Sequence, residues 1–480
     1  MNRTSSHKTV EDVFACLPPI IEEDDMGDEI RRLWKQNGHK LVVLDDDPTG
    51  VQTVHDIYVI TDWTKEWIRQ GLSDERNVLY ILANTRSYTP EMTERINREI
   101  IMNLCAVADE LQVDFSVISR GDSTLRGHYP LEIDVMAKEL TRCAGKSFDG
   151  HLIIPAFFEG GRYTIGDTHY LREGNHLVPV HETEFANDLV FGFTDANLPN
   201  WVVEKGGAQK TEQVRSISLE DIREGSVARV LHILLEAHDN CPIVVNAASY
   251  DDLNIISLAL IRALEAGKRF LYRTAASFVK SFGGIAARPF LHGEEMVAAE
   301  GKNHGGLIIV GSHTKKTTEQ LNQLVSEFDI KTVEMDVVQL LDDTSRKIQL
   351  EHALTIIEDR ISNGLDTILF TSRKVVTAAD IADNLTISQT ISASLAEIVR
   401  TLSVTPQFIV AKGGITSSDI ATQGLQIKKA KVLGQAASGI PVWYTGPEAT
   451  FPNIPYIVFP GNVGERDTLV GIIRNIKSIS

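Results

Sequence analysis

The sequence predicts an α/β protein of two domains, each built on a mostly parallel sheet flanked by helices. Three observations carry that expectation. Short Val- and Ile-rich runs recur and end in polar or glycine-containing turns, stretches with helical spacing lie between them, and 480 residues exceed what one hydrophobic core can use.

Residues 1 to 38 read as a helical or partly ordered N-terminal extension. The predicted strands of the first domain, 39–290, are LVVL (41–44), NVLYILA (77–83), DFSVIS (114–119), HLIIPA (151–156) and CPIVVNA (241–247). Those of the second, 300–480, are GLIIVGS (306–312), DTILF (366–370) and QFIVAKGG (407–414). Met92, Ile96, Ile100, Leu104, Val107 and Leu111 mark one helix face. Asp251-Asp252 opens an apolar helix that stops at Gly267, and Thr317-x-x-Gln320 has the form of a capping box. The stretch 281–306 is glycine-rich and without periodicity, which places the domain boundary between 285 and 305.

Hydrophobic residues at 43% and charged residues at 23% are ordinary globular values. No apolar run reaches the roughly 18 residues of a membrane span, and the N-terminus has neither a signal-peptide core nor a transit-peptide composition. A cytoplasmic location is the expectation. Cys16, Cys105, Cys143 and Cys241 are scattered, which argues against a zinc site or a disulfide framework. A net charge of -18 argues against a nucleic-acid or membrane partner. An anionic ligand would need positive charge gathered locally. Base rates make a homodimer the first expectation for assembly.

Ligands of open parallel sheets sit at the carboxyl ends of strands. The first such end is Asp45-Asp46-Asp47-Pro48-Thr49-Gly50. Three adjacent carboxylates repel one another, so they need a cation, a hydroxyl or an arginine, although Asp-Pro-Thr-Gly is also a good turn. Asp45, Asp47 and Thr49 match the Asp-x-Asp-x-Thr loop of dehalogenase-type phosphatases, but the Ser/Thr, Lys and acidic pair of that class do not follow. The third strand runs instead into Ser119-Arg120-Gly121-Asp122-Ser123-Thr124-Leu125-Arg126-Gly127, dense enough in arginine and hydroxyl groups to hold a small hydroxylated acid. Arg86 follows the second strand and Arg162 the fourth.

Asp46-Asp47-Pro48-Thr49-Gly50, Asp122 to Gly127, and Gly161-Arg162 with Thr164 together resemble the substrate-binding domain of the four-carbon acid sugar kinase family. Val178 to Asp188 and Tyr272 to Phe278 fit the same pattern. Gly311-Ser312, Ala411-Lys412-Gly413-Gly414-Ile415-Thr416 and Gly461-Asn462-Val463-Gly464 resemble the turns of its nucleotide domain. No Walker loop or dinucleotide fingerprint competes with them.

The resemblance implies an acid-sugar domain over 39–290, a nucleotide domain over 300–480, and phosphoryl transfer from ATP with Mg2+ to a threonate-, erythronate- or oxo-tetronate-like acid. It implies that Asp47 or Asp122 serves as base or orienter, a choice the sequence leaves open. It gives Asp46, Thr49, Gly50, Arg86, Ser123, Thr124, Arg126 and Arg162 to the substrate. To the nucleotide it gives Ser277, Gly311, Ser312, Gly413, Gly414, Ile415, Thr416, Gly461 and Asn462. The family commonly has a non-acidic residue where Asp45 stands, Lys where Arg120 lies, Asn for His128 and an acid for Asn246. Asp122 could alternatively cap the following helix. Two rival functions are a magnesium-dependent phosphatase and a non-catalytic sensor of acid sugars or nucleotides.

Overall fold

The computed structural model describes residues 8–21, 25–145, 147–299, 303–373, 381–461 and 463–478. The chain divides into two compact units, Met1–Val54 with Trp63–Ala287, and His55–Asp62 with Arg288–Ser480. In chain order the first strands are β1 (Lys40–Asp45), β2 (Ile57–Ile60), β3 (Val78–Leu82), β4 (Phe115–Arg120), β5 (Gly150–Ile154), β6 (Arg162–Ile165), β7 (Thr168–Glu173), β8 (His176–Pro179), β9 (Arg215–Ile217), β10 (Cys241–Val245) and β11 (Phe270–Thr274). They are followed by β12 (Leu307–Val310), β13 (Lys331–Met335), β14 (Thr367–Thr371), β15 (Ile409–Lys412), β16 (Lys429–Ala437), β17 (Ile440–Thr445) and β18 (Pro455–Phe459).

In the first unit the strand order is β3-β1-β4-β11-β5-β10-β9, every neighbouring pair parallel. All six residues of β1 and all five of β3 are buried, as expected when helices cover both faces. The chain leaves β1 for β3 on one side and then crosses to β4 on the other. The carboxyl end of β1 therefore lies at the topological switch point, where open parallel sheets bind ligands. A separate antiparallel sheet, β6-β7-β8, has no counterpart in the sequence reading.

The second unit repeats this logic with the order β13-β14-β12-β15-β18, all parallel, and puts its switch point between β12 and β15. Beyond β18 the strands β17, β16 and β2 continue antiparallel. The pairing of β2 with β16 draws His55–Asp62 out of the first unit, although the sequence reading placed that segment within 39–290.

The N-terminal segment is not an appendage over its described second helix, Met26–Asn37. Met26, Ile30 and Trp34 recur every four residues, form one buried stripe and pack toward the helix Tyr250–Glu265. The Trp34 ring meets Phe282 edge-on at 5.1 Å, and its Nε1–H donates to the Phe282 carbonyl. The helix starting at Lys315 is capped by Thr314 instead of Thr317, because Thr317 and Gln320 turn inward to bond the segment after β18. Among the described residues no helix is long and apolar enough to cross a membrane.

Trp34→Ala should cost about 3–5 kcal/mol of unfolding free energy, read from urea titration. Lys35→Ala, on the exposed face of the same helix, serves as the control. Equal midpoints for the two variants would show that the helix is dispensable to the fold.

Candidate active site

At the switch point of the first unit, buried and reachable charges form two tiers. The register sets Asp45 beside Arg120 across β1 and β4. Arg120 Nη1 lies 3.1 Å from Asp45 Oδ1 and 3.2 Å from Asp46 Oδ1, and all three residues are at most 3% exposed. Burial pushes the Asp45 carboxyl up to about 8, Arg120 opposes the shift, and Asp46 and Asp47 add to it. Burial also raises Asp46, against the pull of Arg86, Arg120 and Arg273. Its Oδ2 has no hydrogen-bond partner among the described residues. A Cβ on Gly50 would fall 2.0 Å from Asp45 Oδ2, so only glycine lets the turn lie across that carboxylate.

Above this floor, side chains are 12 to 23% exposed. Arg86 pairs through Nη2 with Asp47 and reaches Asp122 Oδ1 at 3.3 Å through Nη1. Burial opposes the charge of Asp47, yet Arg86, Arg120 and two hydrogen bonds from Thr49 hold it below the usual carboxylate range. Asp122 is held well below that range in the same way, by Arg126 and Arg86 and by hydrogen bonds from Arg126 Nε at 2.8 Å and the Thr124 hydroxyl. The next helix begins at Leu131 with Pro130 in its cap position, so Asp122 is not its cap. Arg126 also reaches Asp188 at 3.6 Å and stacks 5.0 Å over Phe185, which gives the Val178–Asp188 motif a physical role.

The remaining predicted substrate residues divide. Asp46, Thr49, Ser123 and Thr124 are buried; Thr49 and Thr124 orient Asp47 and Asp122. The Ser123 carbonyl accepts from His169 Nε2 at 2.8 Å. Since a carbonyl can only accept, Nε2 carries the proton and Nδ1 accepts from the Thr164 hydroxyl at 2.9 Å. Burial keeps His169 neutral, with its value lowered to about 4.

Arg162 differs from its neighbours. It donates to the Gly160 carbonyl and lies 5.7 Å from the Phe157 ring, but makes no ion pair among the described residues, and its buried Nε has no partner there. Burial lowers its affinity for the proton; Asp122 works against that shift and Arg126 with it.

In the second unit three glycine turns converge at the ends of β12, β15 and β18. A Cβ on Gly311 would lie 2.1 Å from Thr416 Oγ1, one on Gly413 3.2 Å from Ser312 Cβ, and one on Gly461 3.5 Å from Ser312 Oγ. Gly413 has φ 129°, which favours glycine on backbone grounds as well. Gly414 opens the short helix Gly414–Asp419, and Ile415 leaves its apolar side chain 52% exposed. Arg373 Nη1 bonds the Ser312 carbonyl at 2.7 Å, and Thr317 Oγ1 bonds the Gly461 carbonyl at 3.2 Å. Such a cradle of small residues admits phosphate oxygens close to the backbone. Asn462 lies outside the described residues. Ser277, assigned to the nucleotide by resemblance, belongs to the first unit, where its Oγ accepts from the Phe158 N–H at 3.0 Å and donates to Glu159 at 3.3 Å.

Four charged residues near these ends have no role in the sequence analysis: Arg273 and Lys412, which stand inside motifs quoted there, and Glu132 in the first unit and Arg373 in the second, which do not. Arg273, Arg373 and Lys412 lie at or next to the carboxyl end of a parallel strand, a signal readable once the strands are placed. Lys412 Nζ donates to the carbonyls of Pro460 at 2.6 Å and Gly461 at 3.3 Å and sits 3.8 Å over the Phe459 ring. Burial pushes it down to about 7, with Lys316 adding, while those carbonyls and the ring favour the ammonium.

Family profiles match the chain in both halves, a sugar-binding N-terminal domain over residues 41–282 and a nucleotide-binding C-terminal domain over 307–469. The chain is 23% identical over 371 residues to a D-erythronate kinase of Heliobacterium modesticaldum, covering 76% of this chain and 73% of that protein. Two solved structures share the fold. A Salmonella typhimurium protein provisionally described as a tRNA synthase superposes with TM-score 0.65 at 17% identity, over 91% of this chain and 99% of that one. A Haemophilus influenzae protein of the DUF1537 family gives 0.60 at 16%, over 91% and 100%. With both profiles matched in order, the chain belongs to the four-carbon acid sugar kinase family.

Proposed function

We propose that the protein transfers a phosphoryl group from ATP to a hydroxyl of a small sugar acid such as threonate, erythronate or an oxo-tetronate. The observation that supports this reading is Arg162, a half-buried guanidinium with no carboxylate partner among the described residues, in a site where Arg86, Arg120, Arg126 and Arg273 are each paired. A half-buried cation without a carboxylate partner is the natural seat for the acid group of a ligand.

With the carboxylate on Arg162, the acceptor hydroxyl meets the reachable pair Asp47 and Asp122, which Arg86 bridges. Both carboxylates stay ionised at neutral pH and can accept a hydrogen bond from that hydroxyl, orienting its lone pair for in-line attack. Their lowered basicity suits orientation first and late proton transfer second: as the acceptor oxygen bonds phosphorus and ADP leaves, the hydroxyl proton passes to one of the two carboxylates. In the second unit the turns at Gly311, Gly413 and Gly461 suit the phosphates of ATP, and Mg2+ would travel with the nucleotide, neutralising charge on the transferred group.

The dehalogenase-type alternative needs Asp45 as an exposed nucleophile. Here Asp45 is 1% exposed, paired to Arg120 and covered by the Gly50 turn. The sensor alternative differs only in turnover.

ADP release from MgATP, measured against a panel of D and L four-carbon aldonic and oxo-aldonic acids with a no-acceptor blank, should show turnover with at least one acid. ATP binding without ADP release on any acid would favour the sensor. Arg162→Met should raise KM for that acid about 10- to 100-fold, equivalent to one charged hydrogen-bonded contact, with KM for ATP unchanged. Asp122→Asn should lower kcat by roughly 10²–10⁴. Near-normal turnover in that variant would remove Asp122 from the mechanism.

The pH profile supplies an independent check. Because Asp47 and Asp122 have folded values below the unfolded one, they remain ionised until the pH falls below about 4, the ordinary carboxylate value. The acid limb of kcat/KM should therefore lie below that point. An acid limb near pH 8 would point instead to Asp45, whose carboxyl burial pushes up to about 8.

A further inference from the structure

The segment Gly121 to Gly127 has no helix or strand of its own, yet it presents Asp122 and Arg126. Its two glycines sit where nothing larger fits, and for the same reason. A Cβ on Gly121 would fall 1.5 Å from Arg273 Nη1, and one on Gly127, at φ 119°, 2.7 Å from Arg273 Nη2. Arg273 Nη2 donates to the Arg126 carbonyl at 2.8 Å. Its Nη1 faces Glu132 Oε2 at 3.5 Å, and Glu132 is itself fixed by the Thr85 hydroxyl at 2.6 Å. The residue is 5% exposed. The loop is thus wrapped around one guanidinium that enters from β11, the strand beside β4, where Arg273 is in register with Ser119.

We propose that Arg273 is a positioning residue, the internal template on which the loop 121–127 is wound so that Asp122 and Arg126 face the acceptor. The planar fork matters because Nη2 donates to the Arg126 carbonyl while Nη1, which has no hydrogen-bond partner among the described residues, stays in ion-pair range of Glu132. A lysine in its place keeps the charge but presents a single point that does not span both partners. The structural claim stands on the geometry alone; its kinetic consequence rests on the kinase reading above.

Arg273→Lys and Gly121→Ala test it from both sides. Gly121 lacks the positive φ of Gly127, so alanine there acts by displacing the guanidinium and not by straining the backbone. Amide hydrogen exchange on the full chain should show at least tenfold faster exchange in the peptide spanning the loop in both variants, with peptides of the second unit unchanged. In the ADP-release assay, KM for the accepted acid should rise tenfold or more while KM for ATP stays within twofold. Loop exchange at the wild-type rate in variants of matched thermal stability would overturn the proposal, as would KM values for acid and ATP that rise together. If no acid supports turnover in the wild type, the kinase reading fails while the exchange result still decides the template. Should Gly121→Ala not fold, Arg273→Lys carries both measurements.

Discussion

The pairing of buried carboxylates with guanidinium groups is the constraint on which the first unit's site depends. Moving a charge out of water costs several kcal/mol even after relaxation, and removing one partner of a buried pair typically costs about 3–5 kcal/mol. Asp45, Asp46 and Arg120 at the ends of β1 and β4 satisfy that constraint only together. Glu132 and Arg273 satisfy it one layer over. Such a floor fixes the geometry of whatever stands on it, because no member can move without stranding another. The reachable tier inherits that rigidity through Arg86 and the loop that holds Asp122.

The second unit solves the opposite problem. Its turns pack so closely that bulk is removed at Gly311, Gly413 and Gly461, and the carbonyls left pointing inward need donors. Lys412, Thr317, Gln320 and Arg373 supply them from beneath. Lys412, turned toward the carbonyls of Pro460 and Gly461, orders that turn from within the unit.

Much of this was legible in the sequence because it is local. Val- and Ile-rich runs bounded by glycine turns predict parallel strands, and strand ends locate chemistry without knowledge of the strand order. The pairings were not legible, since they depend on which strands are neighbours. Two positions that the sequence marks as unusual against the resemblance, Asp45 and Arg120, are 75 residues apart and lie side by side in the fold, the added carboxyl being met by one guanidinium nitrogen, Nη1, that also reaches Asp46. Thr317 looked like a cap because its spacing to Gln320 is right; the helix actually begins one turn earlier, and both side chains serve the Gly461 turn. The antiparallel strands β6 to β8 are short and half-buried, so their apolar runs are too brief to separate from loop.

The membership of His55–Asp62 in the second unit bears on how the chain can be dissected. A cut near residue 287 is the natural place to split the gene, since the contact boundary and the composition change both fall there. A fragment beginning at Arg288 would nevertheless leave β2 behind and bare the hydrogen-bonding groups of β16 along the register Lys429 to Val432. An uncovered edge of that kind recruits strands from other molecules. Poor solubility of such a fragment would reflect a missing strand rather than an unstable core, and grafting residues 55–62 back onto it would be the remedy.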